Sequence, residues 1–212
     1  MRQITTLLVF GFACASLFIT QKIGLAQSSQ SIPNVDAALQ TIREVYGISV
    51  GFENGLDDPG NGSPVTLDLS GRDIAGVFNA LVRQRPGYAW SMQDGVYDLY
   101  PSREADSLSQ LTIANFVVID SELQPTKAAV FNLPEVKEWL SRHRAVVNRL
   151  INSTAAVSPK DAPNRGPKKI SLTLTNVQLR SILNQVMTTF GAQQWIISHA
   201  AAGGQKYVSI DF

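Results

Sequence analysis

The sequence has little of the chemistry that a catalytic or metal site could use. Its 212 residues include one cysteine, Cys14, and two histidines. A structural zinc site draws mainly on Cys and His ligands, and a secreted disulfide framework needs several cysteines. The composition therefore excludes a disulfide-stapled fold. It also predicts no metal site and no bound cofactor.

The few reactive side chains that are present do not form a catalytic pattern. His143 falls on an apolar stripe, where a core histidine is far more common than a ligand or a base. His199 follows Ser198 directly, but no glycine elbow surrounds that serine, which argues against a serine hydrolase. The loop over residues 57–62 has Pro59 where a calcium loop needs a ligand. We therefore expect no catalytic residues and a protein that is not an enzyme.

Residues 1–26 have the pattern of a cleaved signal peptide. Arg2 gives a positive start, an apolar run follows to Thr20, and Gly24 and Ala26 supply the small residues of a cleavage site. The apolar run is short for a spanning helix, and we expect no transmembrane segment after cleavage. The predicted location is the bacterial periplasm or the outside of the cell, with association at the outer membrane as a further expectation.

Charge is distributed unevenly over the predicted mature chain. Residues 27–104 carry five basic and ten acidic side chains, whereas residues 105–212 carry eleven basic and seven acidic ones. The overall balance is close to neutral, which argues against a nucleic-acid partner for an exported protein. The opposite charges of the two halves point to protein contacts.

The chain repeats its hydrophobic framework at an offset of 105 residues. Nine positions recur through strand, helix and strand, and Asn79 and Trp90 return as Asn184 and Trp195. The other seven are Val65, Leu67, Leu69, Ile74, Val77, Phe78 and Leu81, which match Ile170, Leu172, Leu174, Leu179, Ile182, Leu183 and Val186. About 100 residues per copy suits a small domain. The repeat predicts two α+β lobes, 27–104 and 105–212, with helices packed on short mixed sheets and Trp90 superposing on Trp195.

Local patterns give the elements of the first lobe. Apolar residues at helical spacing predict a helix that begins near Val35 and ends at Gly47, followed by a strand over 48–52. Alternation over 65–69 predicts a second strand, and Ser70 with Asp73 resembles a capping box before the next helix. Asp94-Gly95 is a strong hairpin signal between strands over 88–91 and 96–100.

The second lobe follows a polar junction over 102–110. We expect a strand over 111–119 and then a long helix that begins at Asn132, with an apolar stripe that runs through Val146 to Ile151. A proline-rich loop over 153–169 separates this helix from the repeat. Thr175 with Gln178 resembles a second capping box, and a hairpin pairs 194–198 with 207–211.

The first lobe resembles the secretin and TonB short N-terminal domain over about residues 30–101, and residues 105–212 contain a partial second copy. The resemblance rests on the start Ile32-Pro33-Asn34-Val35, the helix to Gly47, the strand Val65-Thr66-Leu67-Asp68-Leu69, and the closing Gly95-Val96-Tyr97. It implies a periplasmic module that serves protein contacts in ring assembly or signalling. The 212 residues leave no room for a receptor barrel or a secretin pore, so no transport activity is carried over.

The expected function is that of an envelope protein-interaction module, acting as an assembly or signalling adaptor. Its partner would be another envelope protein or a second copy, and no small-molecule substrate is identified. The candidate partner-binding residues are the basic Arg142, Arg144, Arg149, Lys168 and Lys169. The simpler explanation of the same charges is a solvated helix face and a solubilising loop. The alternative function is that of an enzyme or ligand-binding protein with a site between the lobes.

Overall fold

The computed structural model describes residues 29–55, 62–71, 73–103, 105, 107–148 and 168–212. The predicted signal peptide, Arg149 and nearly all of the proline-rich loop lie outside these residues. Within the described part of the chain, none of the helices is both long and apolar enough to cross a membrane.

The first lobe contains five strands and two helices. They are β1 (Gln30–Ile32), α1 (Val35–Tyr46), β2 (Ser49–Glu53), β3 (Val65–Leu67), α2 (Ile74–Gln84), β4 (Tyr88–Gln93) and β5 (Val96–Pro101). Helix α1 begins where the Asn34 side chain accepts a hydrogen bond from the Ala37 amide at 2.8 Å, and it ends at Gly47 in the left-handed conformation. The end at Gly47 agrees with the sequence prediction.

The second lobe contains five strands and three helices. They are β6 (Thr112–Ser121), α3 (Leu123–Asn132), α4 (Pro134–Arg142), β7 (Ala145–Val147), β8 (Ile170–Gln178), α5 (Leu179–Phe190), β9 (Gln194–Ala202) and β10 (Gln205–Asp211). The α+β class predicted from the sequence is confirmed.

The two lobes have the same strand pairings. In the first lobe β1 pairs with β3, β4 with β5, and β5 with β2; in the second, β6 pairs with β8, β9 with β10, and β10 with β7. The directions also match, because each hairpin is antiparallel and each third strand is parallel to its neighbour. The close superposition of Trp90 on Trp195 stays a prediction.

The lobes share one sheet, which the sequence did not indicate. Strand β2 pairs in parallel with β9, so the order β4-β5-β2-β9-β10-β7 forms a single six-stranded sheet. Val50 and Phe52 of β2 point into the core formed with α1 and α2, whereas Gly51 faces Trp195 in the core formed with α5. Because alternate residues of a strand face opposite sides, the helices of the two lobes cover opposite faces of this sheet.

The long helix predicted from Asn132 to Ile151 is wrong. Two shorter helices, α3 and α4, meet at Leu133, and α4 ends at Arg142. Arg144 takes a positive φ of 52°, which turns the chain into β7. Val146 and Val147 therefore belong to a strand, although their spacing continued the helical stripe.

Both predicted capping boxes are also wrong. The cap of α2 is Asp73, whose side chain accepts from the Gly76 amide at 2.6 Å, and not Ser70. Thr175 lies inside β8, which runs directly into α5, and Gln178 makes no side-chain cap bond. In each case the strand or loop extends further than the sequence pattern indicated.

Candidate functional site

The junction between the lobes is the place where polar side chains converge. We define the junction as the parallel pairing of β2 with β9, in which Gly51 lies beside Trp195 and Glu53 beside Ile197. Two groups of polar residues lie along it, one around Glu53 and one around Asp98.

Glu53 is a fully buried carboxylate that joins three parts of the chain. It ends β2, and its oxygens accept hydrogen bonds from the Ser107 hydroxyl at 2.7 Å and from the Leu108 and Ser109 amides at 2.6 and 2.9 Å. The His199 Nε2 donates to the same carboxylate at 3.0 Å. One side chain thus fixes the first lobe, the connecting segment and the second lobe together.

Hydrogen bonds keep Glu53 ionised despite its burial. Burial alone raises the pKa of this carboxyl, but the bond and charge of His199 and the bonds from Ser109 and Ser107 outweigh that effect. The pKa of Glu53 therefore lies below its ordinary value. A buried carboxylate with this many donors is a stabilising centre and not a group poised to exchange protons.

His199 is sealed on its other side by aromatic residues. Its side chain is 2 % exposed, and its ring lies 5.6 Å from that of Trp139, which in turn stacks on His143 at 4.0 Å. Asn54 also binds the backbone of His199, because its side-chain oxygen accepts a hydrogen bond from the His199 amide at 2.5 Å. The sequence had suggested a hairpin tip near His199, but the tip lies at Gly203 and Gly204.

Asp98 is the second buried carboxyl at the junction. It lies on β5, where its Oδ2 accepts from the Asn184 side chain at 3.0 Å, while Oδ1 has no hydrogen-bond partner among the described residues. The Trp195 indole donates to Asn184 at 2.5 Å, and Gly51 leaves the space that the indole occupies. Burial raises the pKa of Asp98 to about 7, against the opposing bond from Asn184.

We predict that Asp98→Asn changes how stability depends on pH. The unfolded carboxyl titrates near 3.8 and the native one near 7, so between these values the native state holds a proton that the unfolded state lacks. The stability due to protonated Asp98 is full below pH 3.8 and is lost as the pH rises to 7. Above pH 7, the free energy of unfolding of the neutral variant should therefore be higher than that of wild type by up to about 4 kcal/mol. Urea unfolding at several pH values measures this, and a pH-independent difference would contradict it.

The first lobe repeats the Asn–Trp pair at the open edge of the sheet. The Trp90 indole donates to the Asn79 side chain at 3.0 Å, as Trp195 donates to Asn184. Trp90 also packs at a tilt against Phe78, with a ring distance of 5.3 Å, and stacks with Tyr97 at 6.2 Å. Asn184 is fully buried, whereas Asn79 is exposed, because no described strand lies beyond β4.

The predicted basic residues do not form one cluster of free charges. Arg142 pairs with Glu138 at 2.7 Å within α4, and Lys169 pairs with Asp120 at 2.7 Å beside β6. Arg144 lies in the turn before β7, Lys168 precedes β8, and Arg149 lies outside the described residues. Their role in partner binding stays a prediction.

A cavity of about 510 Å³ lies at one end of the junction. Arg43 of α1 and Asp211 of β10 line it, with Gln194, Ile196 and Phe212. Arg43 donates to the Gln194 side chain at 3.0 Å. Among the described residues, no group of three or more His, Cys, Asp or Glu side chains is arranged to hold a metal ion.

Comparison of the chain with protein-family models, with curated proteins and with solved structures finds no match.

Proposed function

We propose that this protein is an exported envelope module for protein interaction, which acts as an assembly or signalling adaptor. The observation that carries the proposal is a contrast within one sheet. The side chains of Glu53, Asp98 and His199 are buried at the junction, while each outer strand, β4 and β7, carries an exposed apolar residue and pairs on one side only among the described strands. Such edges have free backbone groups that can pair with another chain.

The sealed groups argue against the enzyme alternative. Glu53 and Asp98 are 0 % exposed and the His199 side chain is 2 % exposed, so none of them reaches a substrate. Each instead bonds a neighbour across the junction. These three residues therefore stabilise the contact between the two lobes.

The ligand-binding alternative keeps one specific observation in its favour, the cavity at the junction. Arg43 and Asp211 give it one group of each charge beside apolar Ile196 and Phe212, which suits a small zwitterionic molecule. If the purified protein bound such molecules and Arg43→Gln abolished the binding, this alternative would replace the adaptor proposal.

We predict that the exported protein begins at Gln27. The small residues Gly24 and Ala26 precede this site and polar residues follow it. N-terminal sequencing of protein recovered from the producing cells measures the cleavage. A mature chain that keeps Phe10 or Phe18 would contradict the exported location and indicate a membrane anchor.

The interaction itself is tested by capture from envelope extracts. We expect Met92→Lys to abolish capture of the partner, because it places a charge at an exposed apolar residue of β4. Ile119→Lys is the matched control, since Ile119 is exposed on β6, which pairs with β8 in a separate two-stranded sheet. If wild type and both variants recover the same proteins, the outer strand is not the binding surface.

The basic residues give a second arm of the same experiment. Neutralising Arg142, Arg144, Arg149, Lys168 and Lys169 together should weaken capture and flatten its dependence on salt. Neutralising the exposed Arg83 and Arg103 of the first lobe is the control. Equal capture at every salt concentration would show that these charges only solvate the surface.

A further inference from the structure

A second cavity, of about 470 Å³, lies in the second lobe between α3, α4 and β7. Pockets that bind small molecules have volumes of about 300 to 1,000 Å³ and often lie between packed helices. This α3–α4 cavity is distinct from the cavity at the junction, because the two share no lining residue. The adaptor function proposed above does not require it.

Apolar side chains from all three elements line the α3–α4 cavity. They are Ala128 and Phe131 of α3, Leu140 of α4 and Val147 of β7. On α3 the lining residues recur at positions 124, 127, 128 and 131, which is the spacing of one face of a helix. Ala128 is exposed and Phe131 is partly exposed, so the described residues leave this face open. An apolar ligand would gain free energy by covering it.

The charged groups that line this cavity have one sign. They are Lys127 and Lys137, and no described Asp or Glu lies with them in the lining. Lys127 is 7 % exposed and its ammonium lies 3.4 Å from the Asp211 carboxylate, which compensates its charge. Lys137 is exposed and makes no ion pair with a described residue. The uncompensated positive charge at the cavity is therefore that of Lys137.

We propose that the α3–α4 cavity binds a single-chain amphiphile with a carboxylate head, of the chemical class of the fatty acids. The acyl chain would lie on the apolar lining, and the carboxylate would pair with the Lys137 ammonium. The exposed side-chain amides of Gln124 and Asn132 also line the cavity and can donate hydrogen bonds to the same head group. The volume is near the lower end of the usual range, which suits one acyl chain and not the two of a phospholipid.

Charge argues against the segment that follows β7 as the occupant. By sequence, residues 149–167 carry three basic side chains and one acidic side chain. A segment with net positive charge is repelled by Lys137, whereas a carboxylate is attracted to it. An added anionic ligand therefore suits the lining better than this part of the chain.

The test is isothermal titration calorimetry of the purified mature protein with dodecanoate below its micellar concentration. Dodecanoate should bind saturably at a single site. Butyrate has the same head group with a much shorter chain, and dodecyltrimethylammonium has a similar chain with a positive head group. Each should bind more weakly than dodecanoate by about tenfold or more. Equal affinity for either compound would contradict the assigned ligand class.

Two variants separate the head group from the chain. Lys137→Gln should weaken dodecanoate binding by about fivefold, the upper range for an exposed ion pair. Ala128→Trp places a large side chain in the cavity and should abolish the binding. Lys169→Gln is the matched control, because this exposed lysine pairs with Asp120 beside β6 and does not line the cavity. Ala128 and Lys137 are exposed, so both variants should match wild type in circular dichroism and thermal unfolding.

The inference is overturned if wild type does not bind dodecanoate saturably, if Lys169→Gln weakens binding as much as Lys137→Gln, or if Ala128→Trp binds as wild type does. Binding that Arg43→Gln abolishes and Ala128→Trp leaves intact would place the ligand in the junction cavity instead. Loss of capture from envelope extracts by Ala128→Trp, without dodecanoate binding by wild type, would assign the cavity to the protein partner. That result would overturn this inference and support the proposed function, which Met92→Lys tests separately.

Discussion

Replacing Glu53 with alanine is expected to lower the free energy of unfolding by about 4 kcal/mol. The substitution leaves the Ser107 hydroxyl, the Leu108 and Ser109 amides and the His199 ring without their shared acceptor in a buried site. Each unpaired buried donor carries its own desolvation cost. Chemical denaturation with two spectroscopic probes measures the change.

A double-mutant cycle with His199→Ala separates the junction contact from the other bonds of Glu53. We expect the double variant to be less destabilised than the sum of the single ones, because the two residues bond each other. Additive effects would contradict a direct interaction across the lobes.

The pH dependence provides a second check on Glu53. Its native pKa lies below the unfolded value of 4.5, so its stabilising effect is present above pH 4.5 and is lost as the pH falls through the native pKa. The difference between wild type and Glu53→Ala should therefore shrink in acid. A difference that grows in acid would show that the carboxylate is not preferentially ionised in the native state.

Replacing Gly51 with alanine is expected to destabilise the protein by about 3 kcal/mol. Gly51 lies in β2 at the centre of the sheet, and a methyl group there would overlap the Trp195 indole and the Asp98 carboxylate. Neither neighbour is free to move, because Trp195 is fully buried and bonded to Asn184. Thermal and chemical unfolding both measure the loss.

Gly87→Ala is the matched control for Gly51→Ala. A methyl group at Gly87 meets no atom within 4 Å, and its backbone is not in the left-handed region. We expect this variant to unfold close to wild type. If the two glycine variants were equally stable, Trp195 would not pack against β2 as described.

The sequence predicted those parts of the fold that local patterns determine. The end of α1 at Gly47 and the Asp94-Gly95 hairpin each depend on residues a few positions apart. The helix predicted through Val147 failed for the same local reason, because Val146 and Val147 continue a helical spacing. The turn at Arg144 uses a positive φ in a residue that gives no such signal.

The junction could not be predicted, because its partners are far apart in the chain. Glu53 precedes a loop rich in glycine, and its bonds join it to residues 54 to 56 positions away and to His199, 146 positions away. The one available signal was alternation, since Gly51 and Glu53 share a face opposite Val50 and Phe52. That pattern marks a second buried face of β2, but it does not identify what covers it.

Hydrogen exchange with and without the partner captured from envelope extracts tests most directly the claim that the outer strands of the six-stranded sheet are binding surfaces. Residues 88–93 of β4 and 145–147 of β7 should gain protection when the partner is bound, while β2 and β9 stay strongly protected throughout. Strand β6 serves as the internal reference and should not change. Protection of β4 and β7 that the partner leaves unchanged, or that rises equally in β6, would contradict the account.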